Sequence, residues 1–288
     1  MALEIELKLV VASNDVTAVT ALLEQFLAQQ QASLSGPVAL LNAYFETPDL
    51  WFRRHDAGLR TRCKQGKFEQ TIKLSGQQQG AVHVRPEYNL PCDGVTPKLA
   101  AFPSEIWPEH TDVALLQQAL QEVFRTDFQR RKAVIVRDGT RVELVLDVGM
   151  VLAQGRQEPI AELELELLEG DAQQLFVLAG ELVRQLPLLA GFQSKAERGY
   201  RLAQQQPLTW RDVSPEQPLS ELVNAVLTNQ LLAYQQELSA DQGWDLLAHR
   251  AQMDDTLPAA LRHTAELATN PTARQLWLLE YTRAQLSL

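Results

Sequence analysis

Glu162-Leu163-Glu164-Leu165-Glu166-Leu167 alternates charge and hydrocarbon without a break, and Glu4-Ile5-Glu6-Leu7-Lys8 does the same at the other end of the chain. Side chains of a strand alternate between its two faces, so each segment predicts a strand with one wholly charged and one wholly apolar face. Taken singly, each is an ordinary half-buried strand with a solvated face. Recurrence changes the reading. Bases alternate in Arg60-Thr61-Arg62, Thr71-Ile72-Lys73 and Arg130-Arg131-Lys132, and Arg85-Pro86-Glu87-Tyr88-Asn89 places Arg85, Glu87 and Asn89 on one side. A solvated sheet normally mixes signs along a strand to gain cross-strand pairs; here whole strands carry one sign. Carboxylates about 7 Å apart along a strand repel unless cations lie among them, and hard divalent ions such as magnesium or manganese favour such oxygens.

Around these segments, alternation predicts strands at Leu3–Val11, Ala39–Thr47, Leu59–Cys63, Phe68–Leu74, Ala81–Leu90, Phe128–Asp138, Thr140–Asp147 and Pro159–Leu168. Short turns such as Asp138-Gly139 make them antiparallel hairpins. Helices are expected after Ser13 or Asn14 (Val16, Val19, Leu23, Phe26, Leu27), after Thr111 (Val113, Leu116, Leu120, Val123) and after Asp171 (Leu175, Leu178, Leu182). If the eight strands close, their charged faces share one lumen and their apolar faces lie outward beneath the helices. The expected fold class is therefore α+β: an eight-stranded antiparallel β-barrel with flanking helices if the sheet closes. Such a lumen suits a polyanion bridged by divalent metal.

Composition bounds the rest. The 288 residues carry 26 Lys plus Arg against 36 Asp plus Glu, a formal charge of −10, with 45% hydrophobic residues, which excludes a disordered chain. Net negative charge argues against bulk attraction to nucleic acid or anionic lipid. No apolar run spans a membrane, the N-terminal alternation is no signal-peptide core, and a cytoplasmic protein is expected. Cys63 and Cys92 form neither a disulfide framework nor a zinc spacing. A polar stretch with two prolines, Gln206 to Pro215, divides an alternating part, residues 1–205, from an all-helical part, residues 214–288. The latter holds five arginines, no lysine and ten acids from residue 206 onward. Its helices are expected to start at Ser214-Pro215, near Asp254 to Pro258 and at Asn270-Pro271.

The ordered set of Glu4, Glu6 and Lys8, Asn42-Ala43-Tyr44-Phe45-Glu46-Thr47-Pro48-Asp49, Gly58-Leu59-Arg60-Thr61-Arg62, Thr71-Ile72-Lys73, Arg85 to Asn89, Glu162 to Leu167, and Ser194-Lys195-Ala196-Glu197-Arg198-Gly199-Tyr200 resembles the CYTH superfamily, the triphosphate tunnel metalloenzymes. It looks most like the bacterial inorganic triphosphatases that join a CYTH domain to a CHAD domain. Residues 214–288 resemble a truncated CHAD beginning, locally in Leu261-Arg262-His263-Thr264, and are expected to pack on the tunnel or a partner. The resemblance implies an eight-stranded tunnel and hydrolysis of inorganic triphosphate or a related polyphosphate with Mg²⁺ or Mn²⁺. It matches metal ligands to Glu4, Glu6, Asp147, Glu162, Glu164 and Glu166. Phosphate ligands match Lys8, Arg60, Arg62, Lys73, Arg85, Arg130, Lys132, Lys195 and Arg198. Glu164, Lys8 and Arg60 are the catalytic candidates, with a second metal ion or a carboxylate such as Glu164 orienting the attacking water. Asn89 stands where many relatives carry an acid. Other CYTH activities (thiamine or nucleoside triphosphatase, class IV adenylyl cyclase) and a noncatalytic polyphosphate-binding module stay open at this stage.

Overall fold

In the computed structural model, which describes residues 2–238 and 243–286, eight strands close into one antiparallel ring. In chain order they are β1 (Ala2–Val11), β2 (Val38–Glu46), β3 (Gly58–Lys64), β4 (Lys67–Lys73), β6 (Val82–Cys92), β7 (Gln121–Arg137), β8 (Thr140–Ala153) and β9 (Arg156–Glu169). Around the ring the order is β1, β9, β8, β7, β2, β3, β4 and β6, which pairs back onto β1. Two three-residue strands lie outside it: β5 (Gln77–Gln79) on β6, and β10 (Leu188–Ala190) on the end of β1.

Three of the strands outrun their sequence reading. β7, β8 and β9 form a long meander whose two turns, Asp138-Gly139 and Gln154-Gly155, hold consecutive residues at positive φ (48° and 74°, 48° and 75°). That geometry matches the right-handed twist of the flanking strands. The second turn is hidden in the sequence because Val148 to Ala153 is nearly all apolar and shows no alternation. Val123 accordingly belongs to β7 and not to the helix before it, α3 (Val113–Ala119).

The caps also differ. Asp15, not Ser13 or Asn14, accepts from the Ala18 N–H at the start of α1 (Val16–Gln29), and Asp112, not Thr111, accepts from Leu115 at α3. Asp171 Oδ1 accepts from Gln173, one residue ahead of the cap position of α4 (Gln173–Gln185).

Most of the hydrocarbon lies on the outside of the ring. Leu7, Leu9, Leu144, Leu146, Leu163 and Leu165 are buried beneath Leu23, Phe26 and Leu27 of α1 and Leu175, Leu178 and Leu182 of α4. A second cluster lies on the inner face, where Phe124, Phe128 and Ile160, on the same side of their strands as Arg130 and Glu162, pack on Tyr200 and Ala203 of α5 (Lys195–Ala203); a third, outside, sets Phe52 of the short helix α2 (Trp51–Arg54) against Leu59 and Ile72. At Gly199 α5 approaches β7 so closely that a Cβ there would lie 2.1 Å from the Phe124 ring. This approach, with a Ser194–Glu197 capping box, fixes where Lys195 enters the ring.

The remaining helices are α6 (Leu219–Gln235), α7 (Trp244–Met253), α8 (Ala259–Leu267) and α9 (Pro271–Gln285). α6 starts after Pro218, because Ser214 closes a turn with Gln217 instead of capping a helix at Pro215. Asn270 caps α9 as expected, accepting from Ala273. These helices pack on the barrel. Leu222, Val226, Trp277 and Leu278 are continuous with the apolar cluster of α4, and the buried Gln275 accepts from the Ala190 N–H of β10 while donating to Gln230. Among the described residues no helix is long and apolar enough to cross a membrane.

Candidate active site

Because the apolar faces point outward, the alternating charged residues line a cavity of about 750 Å³ inside the ring. Twelve of the fifteen residues singled out from sequence lie on its wall: Glu4, Glu6, Lys8, Arg60, Arg62, Lys73, Arg85, Arg130, Lys132, Glu164, Glu166 and Lys195. Lining acids and bases are equal in number, nine of each, although the chain is net −10. The interior is therefore built for both signs and is no simple anion funnel.

Register explains the pairing. Lys8 of β1 is opposite Glu164 of β9, Arg130 of β7 opposite Asp147 of β8, and Lys73 of β4 opposite Glu87 of β6. Lys8 Nζ donates to Glu162 at 3.0 Å and also to Glu164, and Lys195 Nζ lies 2.6 Å from Asp147, 2.5 Å from Glu162 and 2.9 Å from Glu164. Arg130 holds Asp147 through two bonds, at 2.7 and 2.5 Å, and Glu164 at 2.7 Å. Burial works to raise the Glu164 carboxyl, but Lys195, Lys8 and Arg130 outweigh it and hold it well below the usual range. Glu162 is lowered the same way, burial being outweighed by Lys195 and Lys8.

Glu4 and Glu166 are in the opposite condition. Burial pushes Glu4 to about 7 even beside Lys73, and burial together with Glu143 and Glu6 raises Glu166. Glu6 of β1 is directly opposite Glu166 of β9, and Glu4 shares the inner face of β1 with Glu6. This incompletely neutralised group of carboxylates fits a hard divalent cation, since extra positive charge is what its burial calls for. Asp147, Glu162 and Glu164 offer oxygens within 4.8 Å of one another and can also hold a metal, provided the Lys195 ammonium withdraws from among them.

One base inside the wall is in excess. Arg62 donates from Nε to the neutral Oδ1 of Asn42 at 2.8 Å and has no carboxylate partner among the described residues. Burial, with Arg60 and Arg130 beside it, pulls its pKa down to about 9, the mark of a cation lacking an anion. Arg60 meets Glu87 only at 3.6 Å, and its Nε is unpartnered. Arg85 donates to Nδ1 of the buried His83 at 2.6 Å, which leaves the ring proton on Nε2; burial lowers His83 to about 3, so it stays neutral. Asn89, in the place of an acid, accepts from Thr71 at 2.6 Å, and its side chain helps hold Glu87 at about 2, where burial is outweighed by Lys73 and Arg60.

Three predicted residues lie off the wall. Asp147 and Glu162 are buried behind it as the anchors of Lys195, Lys8 and Arg130. Arg198, expected as a phosphate ligand, does not line the cavity. On α5 it faces β9, one turn from Lys195, and bonds Glu158 at 2.8 Å, the Pro159 carbonyl and, at 3.4 Å, the far oxygen of the Glu162 carboxylate that Lys195 holds. Sequence reading missed Glu46, Tyr200 and Arg53. Glu46 is 1% exposed, accepts from the backbones of Thr47, Phe52 and Arg53, and takes the Tyr200 hydroxyl at 3.1 Å. Its signal was an acid in the apolar run of β2.

A family model for the CYTH domain matches residues 2–200. The chain belongs to the CYTH family. This CYTH protein is 33% identical over 224 residues to an inorganic triphosphatase of Haemophilus influenzae, covering 74% of the present chain and 60% of that relative's length. Among solved structures, a Hippeastrum protein described with a dominant triphosphatase activity aligns with 68% of this chain and 95% of its own, at 18% identity and a TM-score of 0.47. A Bacillus halodurans protein aligns with 69% and 98%, at 21% identity and a TM-score of 0.41.

Proposed function

We propose that this chain hydrolyses a terminal phosphoanhydride of inorganic triphosphate, giving pyrophosphate and phosphate, with Mg²⁺ or Mn²⁺ bound. The observation that carries the reading is Arg62, a guanidinium inside the wall with like charges beside it and, among the described residues, a neutral amide as its hydrogen-bond partner. It sits in the same cavity as carboxylates that lack enough positive charge. A phosphate chain relieves the first and a divalent ion the second. The relative named as an inorganic triphosphatase supports the choice of substrate.

Phosphoryl transfer needs alignment and charge neutralisation more than covalent help. Arg60, Arg62 and Arg85 have donors that no acid in the wall saturates, so they hold the phosphate oxygens. Lys8, Lys195 and Arg130, fixed by Asp147, Glu162 and Glu164, present positive charge at a set depth and cost little reorganisation. Glu4, Glu6 and Glu166, with Glu164 through the Oε2 that Arg130 also holds, would hold the metal, which would supply Lewis acidity to the phosphate when bound. Glu164, kept ionised by its three cations, is the acceptor we assign to orient the attacking water. Every lining residue precedes Gln206. We infer that residues 1–205 form the catalytic unit and that the CHAD-like helices of 214–288 support it.

Incubating purified protein with tripolyphosphate, ATP or thiamine triphosphate, with and without Mg²⁺, tests the reading. Metal-dependent release of orthophosphate, fastest from tripolyphosphate, is expected. Cyclic nucleotide plus pyrophosphate would assign a cyclase instead, and binding of tripolyphosphate without turnover would leave only a binding module.

A further inference from the structure

At the rim of the cavity lies a base that the sequence pattern did not mark. Arg53, on α2, is exposed, lines the lumen and has no carboxylate partner among the described residues. Its guanidinium carbon sits 5.1 Å from the centre of the Tyr200 ring. Both ends of this pair are tied to one buried oxygen: Glu46 Oε2 accepts from the Arg53 backbone N–H at 2.9 Å and from the Tyr200 hydroxyl at 3.1 Å. An aromatic face orients a guanidinium without consuming its N–H donors, whereas a carboxylate would consume two of them and cancel the charge. The neighbouring Arg54 is the natural contrast, since it pairs with Asp49 and lies off the cavity wall.

We propose that Arg53 is a further substrate-binding residue, held on the Tyr200 ring to take the solvent-side phosphoryl group of a linear phosphate chain whose inner groups lie on Arg60, Arg62 and Lys195. It rests on the reading of the cavity as a triphosphatase site. Arg53 extends the run of unsaturated donors from inside the ring to its mouth, so a chain entering end-on keeps a cationic partner for the last group still facing solvent. Tyr200 and Glu46 act through Arg53 and are positioning residues.

The test measures kcat and KM for tripolyphosphate and linear tetrapolyphosphate on the full chain carrying Arg53→Gln, Arg54→Gln or Tyr200→Leu. Arg53→Gln should raise KM about fivefold or more for at least one chain length, with kcat within twofold of the parent and an unchanged melting temperature. A rise on both substrates places Arg53 at the third phosphoryl group, and a rise on the longer one alone places it at the fourth. Tyr200→Leu should raise KM in the same direction, and Arg54→Gln should leave it unchanged. A KM within twofold of the parent for Arg53→Gln on both substrates overturns the proposal, as does an equal rise from Arg54→Gln, which would mean general charge alone. A parent protein with no turnover of either substrate would remove the triphosphatase reading itself, and this inference with it.

Discussion

Replacing Glu4 and replacing Glu164 by glutamine should both abolish turnover yet move stability in opposite directions. Burial holds the Glu4 carboxyl at about 7, against an ordinary value of 4.5. For an acid raised on folding, the native state carries a costly charge above the folded pKa and none below the unfolded one, so the penalty appears as pH climbs from about 4.5 to about 7. At about 1.4 kcal/mol per pH unit it reaches roughly 3 kcal/mol above neutrality. Glutamine removes that penalty but also the contact with Lys73, which keeps Glu87 at 3.2 Å. A net gain of about 1 to 2 kcal/mol at pH 8 corresponds to a rise of about 2 to 8 °C in melting temperature for a chain of this size.

Glu164→Gln instead takes a charge from Lys8, Lys195 and Arg130 at once. Breaking a buried pair from one side costs about 3 to 5 kcal/mol, a fall of at least about 6 °C. Melting curves in EDTA at pH 5 and pH 8, read by circular dichroism, decide the matter. Glu4→Gln should match the parent near pH 5 and exceed it at pH 8. An equal offset at both pH values would refute the burial argument, and a Glu164→Gln protein as stable as the parent would refute the pairing argument.

Arg62→Met should weaken tripolyphosphate binding about tenfold or more by calorimetry, since a charge-assisted bond to phosphate is worth about 1.5 to 3 kcal/mol. Unchanged affinity would move the phosphate chain elsewhere in the lumen. Glu87→Gln should remove acid sensitivity. With its carboxyl at about 2, Glu87 stabilises the fold above pH 4.5 and loses that contribution as pH falls toward 2, so parent and variant melting temperatures should converge in acid; an offset that stays constant down to pH 2.5 would contradict this. Deleting residues 207–288 should preserve turnover per folded molecule but lower the melting temperature and solubility, because it uncovers the α4 face and leaves the Ala190 N–H without Gln275. A well-folded truncation without activity would give the helices a part in the chemistry.

Period-two alternation determined the strands and their inward and outward faces, because a strand has only two faces and hydrocarbon must take the dry one. The charges at Glu4, Glu6, Lys8, Arg60, Arg62, Lys73 and Glu164 were therefore assigned to one lumen from sequence, and the structure places them there. The same rule was blind from Val148 to Ala153, where both faces are apolar, and so it cut β8 and β9 short. It also gave no account of partnership. Which acid neutralises which base depends on the register of strands far apart in the chain, as in Lys8 with Glu164 across 156 residues and Lys195 with Asp147. Only the closed ring decided that Glu164 is saturated with cations, that Glu4 is short of them, and that Arg62 has no ion-pair partner among the described residues. Arg198 shows the limit plainly: three residues from Lys195 on one helix, it faces the back of the wall. Arg53 shows the converse. Nothing in Trp51-Phe52-Arg53-Arg54 separates its two arginines, and only the approach of Tyr200 and Glu46 from distant segments turns one toward the tunnel mouth. Sequence fixes the chemistry each strand can offer, but the field at any one group is a sum over neighbours that only tertiary structure assembles.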